Sequence, residues 1–196
     1  MSAVEEIIIK GDIMIKKLLY EFMSMVEENQ VEIYNEFSLQ HELGIFLREQ
    51  LPNYKVQFER NTKFFGIKGT IKHEIDIVVY NDTEKYAVEL KYPVNGQYPE
   101  QMYSFVKDIL FMEQLKDNGF DATYSFTMVN DKNFYSGKKI DGIYTYFRDE
   151  EILQGTIIKP TGKKEDFVTL KKRYNIKWEG KTDHLKYYIV DINEGV

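Results

Sequence analysis

His73-Glu74-Ile75-Asp76-Ile77-Val78-Val79-Tyr80, then Asn81-Asp82-Thr83-Glu84, then Lys85-Tyr86-Ala87-Val88-Glu89-Leu90-Lys91, is the stretch that decides the reading of this chain. Two runs rich in β-branched and aromatic residues flank a polar turn, the pattern of a β-hairpin. Side chains alternate along a strand, so Ile75, Ile77 and Val79 share one face and Glu74, Asp76 and Val78 the other. In the second run Val88 and Leu90 oppose Ala87, Glu89 and Lys91. Each strand is expected to be apolar on one side and charged on the other. A turn centred between Asp82 and Thr83 pairs Tyr80 with Lys85, Val78 with Ala87, Asp76 with Glu89, and Glu74 with Lys91.

Directly opposed carboxylates have Cβ atoms roughly 5 Å apart and repel, so a sheet normally avoids them. A divalent cation removes the penalty, since Mg²⁺ is commonly held by one or two carboxylates with water and substrate phosphate. Asp76, Glu89 and Lys91 would then form a compact site for phosphodiester hydrolysis. The metal would polarise the scissile phosphate, and the lysine would stabilise developing charge or position water. An acid on each strand also arises by chance in a chain that is 30% charged. The cross-strand match, the apolar opposite faces and a preceding helix carrying acids distinguish this hairpin from chance.

Working outward, residues 12–28 have helical spacing, with Ile13, Leu18, Phe22, Met25 and Val26 as apolar contacts. A second helix is expected over 36–50, with the stripe Leu39, Leu43, Phe46 and Leu47, ending before Pro52. Residues 54–59 read as a strand, and 71–80 and 85–92 as the hairpin. A third helix begins near Pro99 and stops at Asn118-Gly119. Residues 123–129 form a strand, and a β-rich tail ends in 185–192. Tyr144, Tyr146 and Phe147 read first as core or strand residues. With no internal repeat or linker, the chain is treated as one domain over 1–196. Its fold class is α/β (α+β): a mixed central sheet flanked by helices, with a core at about 36–129 and a β-rich extension at about 130–196.

The hairpin and the helix before it resemble the PD-(D/E)XK nuclease superfamily, whose fold is called restriction-endonuclease-like. The family pattern is an acid on one strand and (D/E)-x-K on the next, preceded by a helix that often carries another glutamate. Asp76 matches the first acid, and Glu89 and Lys91 match the second half, whereas Ile75 stands where the family name has proline. The resemblance covers about residues 36–129. It implies catalysis by Asp76, Glu89 and Lys91. It also implies Mg²⁺ or Mn²⁺ held by Asp76, Glu89 and the backbone carbonyl of Leu90, and hydrolysis of DNA or, less often, RNA. The helix glutamate would be Glu42 or Glu36. Glu42 lies at the edge of the apolar stripe fourteen residues before Val56 and is marginally preferred, while Glu36 projects near the centre of that stripe. Gln101 with Phe105 is similar to the glutamine-plus-tyrosine helix motif of one nuclease branch, with Phe in place of Tyr; it also reads as a plain first-turn glutamine.

Composition narrows the alternatives. There is no cysteine, which excludes a disulfide scaffold, a thiolate zinc site and a cysteine nucleophile. His41, His73 and His184 lack zinc-ligand spacing, and no phosphate-binding P-loop, dinucleotide fingerprint or nucleophile elbow is present. Ile7-Ile8-Ile9 is too short for a membrane span and follows an acidic leader, so a soluble cytoplasmic protein is expected. The net charge of −6 argues against a coat protein for nucleic acid. The stretch 159–181 nevertheless carries eight basic side chains (Lys159, Lys163, Lys164, Lys171, Lys172, Arg173, Lys177 and Lys181) against Glu165, Asp166 and Glu179. It reads either as a solvated lysine-rich hairpin or as a contact surface for nucleic acid through Lys171, Lys172 and Arg173.

Two other readings compete. One is a catalytically inactive protein of the same fold that binds nucleic acid or a protein partner. The other is a structural module with a chance acid pair, in which Asp76 and Glu89 would point apart, or Asp76 would pair with Lys91 and be shielded from solvent. The expected partners are nucleic acid, DNA first, and no membrane, with a homodimer left open.

Overall fold

The computed structural model describes residues 11–94, 96–162 and 165–194, with the backbone alone at 11–13. Helix α1 spans Gly11–Glu27 and α2 spans Glu36–Gln50. The start of α2 is fixed by a capping box. Asn35 Oδ1 accepts from the Ser38 N–H at 2.7 Å, and Ser38 Oγ accepts from the Asn35 N–H at 3.1 Å. Glu36 is therefore the first helical residue. Strand β1 (Lys55–Asn61) follows, then β2 (Glu74–Tyr80), β3 (Lys85–Lys91), helix α3 (Tyr98–Asp117) and β4 (Ala122–Val129). A short helix α4 (Tyr144–Arg148) precedes β5 (Leu153–Ile158), β6 (Phe167–Tyr174), β7 (Glu179–Thr182) and β8 (Leu185–Asp191). The run Ile7–Ile9, Lys163, Lys164 and the Ile13 side chain lie outside the described residues.

Six strands form one mixed sheet in the order β1-β2-β3-β4-β8-β7, and β5 pairs with β6 in a separate ribbon. β3 and β4 run parallel, joined by α3, because parallel neighbours need a crossover connection. The remaining neighbours are antiparallel. The tail is thus part of the central sheet through β8, and Tyr144, Tyr146 and Phe147, read as core or strand residues, lie in a helix. Phe147 is buried in that helix.

Both faces of the sheet are covered. α1 and α2 bury Ile15, Leu19, Phe22, Leu39 and Leu43 against Ile77, Val79, Val88 and Leu90. On the opposite face α3 and the β5–β6 ribbon cover Val78 and Ala87 with Phe105, Ile109, Met112, Val168 and Leu170. The expectation of a charged outer face on the hairpin is corrected here. That face lies under α3, and Glu89 is only 2% exposed. Among the described residues no helix is long and apolar enough to cross a membrane.

Gly44 sets how closely α2 approaches β1. A Cβ at this position would lie 2.0 Å from Cε1 of Phe58. Alanine gains about 1 kcal/mol of helix propensity, but forcing an extra methyl into a filled interface costs about 1–3 kcal/mol. Gly44→Ala is expected to lower the urea midpoint. An unchanged or higher midpoint would mean that the Phe58 ring moves aside at little cost.

Candidate active site

The hairpin register runs as expected from Tyr80↔Lys85 through Val78↔Ala87 to Ile77↔Val88. Asn81 sets it, its Oδ1 accepting from the N–H groups of Thr83 and Glu84, both at 2.8 Å. At Asp76 a side chain takes over from the backbone, and Asp76 Oδ2 accepts from the Leu90 N–H at 2.7 Å. The strand before it is irregular too. Glu59, which would face Asp76 from β1, has a left-handed φ of 49° and is skipped in the β1–β2 pairing. Gln40 of α2 fills the gap, its Nε2 donating to Asp76 O at 2.9 Å and to Glu59 Oε1 at 2.6 Å. Asp76 thus sits where the ladder opens.

The structure places Asp76 within electrostatic reach of both Glu89 and Lys91. Burial first, then the charge of Asp76, then that of Asp108 raises Glu89 well above the usual carboxylate range. Burial also raises Asp76 to about 7, against the pull of the Leu90 N–H and Lys72. Lys91 Nζ lies 3.2 Å from Glu36 Oε1, and Glu36 Oε2 accepts from the Tyr92 N–H at 2.9 Å. Burial alone would lower Lys91, but Asp108 and Glu36 outweigh it and hold the ammonium charged.

Of the two helix acids, Glu36 is the one that reaches the site. It lines a small cavity of about 80 Å³ with Phe37, Gln40, Glu59, Asp76 and Leu90. Glu42, marginally preferred from the sequence, is not among those lining residues. Gln40 faces the sheet, and Glu36 lies one turn before it on the same face, whereas Glu42 is turned about 200° away around the helix. Glu74 is exposed, and so is His73, whose carbonyl accepts from the Thr62 N–H.

Two further charged residues belong to the cluster. Asp108 of α3 is buried, 1% exposed, and burial raises it against the pull of Lys72 and Lys91. Lys72, just before β2, ion-pairs with Glu89 and with Asp108, the latter at 2.5 Å. That contact is close but not aligned as a hydrogen bond, and both Asp108 oxygens and Glu89 Oε2 are buried without a hydrogen-bond partner. A signal for Asp108 was present in the sequence, because it falls on the same helical stripe as Phe105 and Met112.

The residues expected to contact nucleic acid lie on β6 and α3. Lys171 Nζ pairs with Asp117, Lys172 Nζ donates to the Ile192 carbonyl at 2.6 Å, and Arg173 is exposed. Gln101 is half-buried in the first turns of α3, and Phe105 is a core residue.

The raised acids make stability depend on pH in a definite sense. Between the ordinary 3.8 and about 7, folded Asp76 holds a proton that the unfolded chain has released. Stability therefore falls as pH rises through this window, by up to about 1.4 kcal/mol per pH unit for one proton. Glu89 and Asp108 shift in the same direction, whereas Lys72 and Lys91, raised above 10.5, act only at alkaline pH. In EDTA, urea midpoints should decline across this window and decline less in Asp76→Asn. Equal slopes for the two proteins would rule Asp76 out as a source.

No known family model matches the chain, and neither does any curated protein or solved structure.

Proposed function

We propose that this chain is a metal-dependent nuclease that hydrolyses phosphodiester bonds of nucleic acid, with DNA as the first substrate to test. The observation that carries the proposal is the convergence of Asp76, Glu89 and Lys91 at one end of the sheet, with Glu36 from the preceding helix facing Lys91. This is the pattern of the family that the sequence resembles. Two exposed aromatics, Phe37 at the cavity rim and Tyr34 before it, offer flat surfaces of the kind on which bases stack.

The donors suit a hard divalent cation. Among the described residues no three acid or histidine side chains stand as a ready ligand set, but Mg²⁺ needs only one or two carboxylates beside water and phosphate. Asp76 and Glu89 supply those, and Glu89 Oε2 is buried with no hydrogen-bond partner to compete. The N–H and C=O of one strand residue project to the same side, so the Leu90 carbonyl lies on the side of Asp76. The cavity of about 80 Å³ holds a few waters, each occupying roughly 30 Å³. When bound, Mg²⁺ or Mn²⁺ supplies Lewis acidity toward the scissile phosphate.

The rest is the work of the chain's own groups. Lys91 is kept protonated by Glu36 and Asp108, so it stabilises negative charge developing on the phosphate and gives up no proton. Glu36, 43% exposed, is the acid that reaches solvent and orients a water. Gln40 fixes the backbone at Asp76 and acts as a positioning residue.

One observation favours a catalytically inactive fold relative that binds nucleic acid or a protein partner: the Lys72 ammonium already pairs with Glu89 and Asp108. Incubation of DNA and RNA panels with Mg²⁺ or Mn²⁺, against EDTA controls, separates the two. Metal-dependent cleavage is expected; salt-sensitive binding without cleavage, weakened by neutralising Lys171, Lys172 and Arg173, would replace the nuclease reading.

A further inference from the structure

We infer that the Lys72 ammonium is the resident counter-cation of the acid cluster, and that a divalent cation binds by displacing it, with Asp108 joining the site as a third acid. The inference rests on the nuclease reading above and specifies how its metal site is loaded.

Lys72 differs from a structural ion-pair partner in three respects. It comes from the connection before β2, outside the sheet, and is 31% exposed, while the Glu89 and Asp108 side chains are each 2% exposed. Its charge therefore enters a buried acid pair from the solvent side. Second, the pairing is incomplete. Buried ion pairs repay their desolvation only when the remaining lone pairs are satisfied, yet Glu89 Oε2 and Asp108 Oδ2 have no hydrogen-bond partner. The cluster has acceptor capacity that one ammonium does not fill.

Third, two carboxylates share one ammonium: Glu89 and Asp108 both pair with Lys72, while Lys91 is engaged with Glu36. A compact double charge suits hard carboxylates better than an ammonium, and oxygen-only donors suit Mg²⁺ or Mn²⁺. Lysine is also the charge best able to leave, being a point charge on a flexible four-carbon stem. The backbone at Lys72 is held by Thr70 Oγ1, which donates to the Lys72 carbonyl at 2.6 Å, and by the Ile71 N–H, which donates to Gln114 Oε1 at 2.8 Å. Displacement therefore turns the Lys72 side chain away while the backbone at Lys72 stays in place.

The test is calorimetric titration with MnCl₂ of the wild type, Lys72→Met, Lys72→Gln and the double variant Lys72→Met/Asp108→Asn, with melting in EDTA and in Mn²⁺. Removing the competitor should tighten Mn²⁺ binding about tenfold or more, a change of about 1.4 kcal/mol, and enlarge the Mn²⁺-induced rise in Tm. The added Asp108→Asn change should reverse most of that gain. If Lys72→Met and Lys72→Gln bind Mn²⁺ no more tightly than a wild type that does bind it, displacement is wrong and the nuclease reading stands. If neither wild type nor variants bind Mn²⁺, both fall. Should the Lys72 variants be unfolded in EDTA, folding on addition of Mn²⁺ supports the inference, and failure to fold with Mn²⁺ overturns it.

Discussion

Lys91→Ala and Glu89→Ala are each expected to cut metal-dependent cleavage by roughly 10²–10³-fold, the usual cost of losing one group aimed at transition-state charge. The two substitutions should fail in different ways. Lys91 donates to Glu36 and, among the described residues, approaches no other carboxylate within hydrogen-bond distance, so its loss should leave Mn²⁺ affinity near wild type and act on turnover. Glu89→Ala removes a buried acid with an unshared oxygen, so both Mn²⁺ affinity and turnover should drop. Glu36→Gln should have a smaller effect, since the amide still accepts from the Tyr92 N–H. Single-turnover assays with saturating metal, beside calorimetry, separate the two modes. Cleavage that survives both Lys91→Ala and Glu89→Ala would sink the assignment of the site.

The largest effect on stability is expected at Glu113, a second buried acid of α3 that takes no part in the cluster. Its Oε1 accepts from the Lys171 N–H at 3.1 Å, the Lys172 N–H at 2.9 Å and the Tyr174 hydroxyl at 2.8 Å, and its Oε2 from the Lys171 N–H at 2.9 Å. One carboxylate thus satisfies three donors of β6 and fastens the β5–β6 ribbon to α3. Each donor left buried and unpaired costs about 1–3 kcal/mol, so Glu113→Ala should lose about 3–5 kcal/mol, within the range for breaking buried charged networks. Glu113→Gln keeps an acceptor oxygen and should cost less, and Tyr174→Phe about 1 kcal/mol. A loss below about 1 kcal/mol for Glu113→Ala in urea denaturation would show that water replaces the carboxylate with ease.

What could be read from the sequence was local. The bounds of α2 follow from Asn35 at one end and Pro52 just past the other, and the hairpin register follows from the Asn81 turn. The choice between Glu36 and Glu42 was not local. It depended on which side of α2 meets the sheet, and Gln40, a polar residue outside the apolar stripe, settles that by bonding Asp76 and Glu59. Lys72 and Asp108 meet across thirty-six positions, joined by no period that a window could detect. The place of β8 beside β4 is likewise a pairing between distant segments.

That pairing has a consequence for how the protein is made. β4 is buried at every position, and one of its edges is covered only by β8. On a ribosome, about sixty residues separate the completion of β4 from that of β8, so at roughly 5–20 residues per second the edge stays bare for roughly 3–12 s. An apolar strand with an open edge is a template for pairing with another chain. Nascent or truncated chains that stop short of residue 185 are therefore the species most exposed to aggregation, and the emergence of β8 is what ends the hazard.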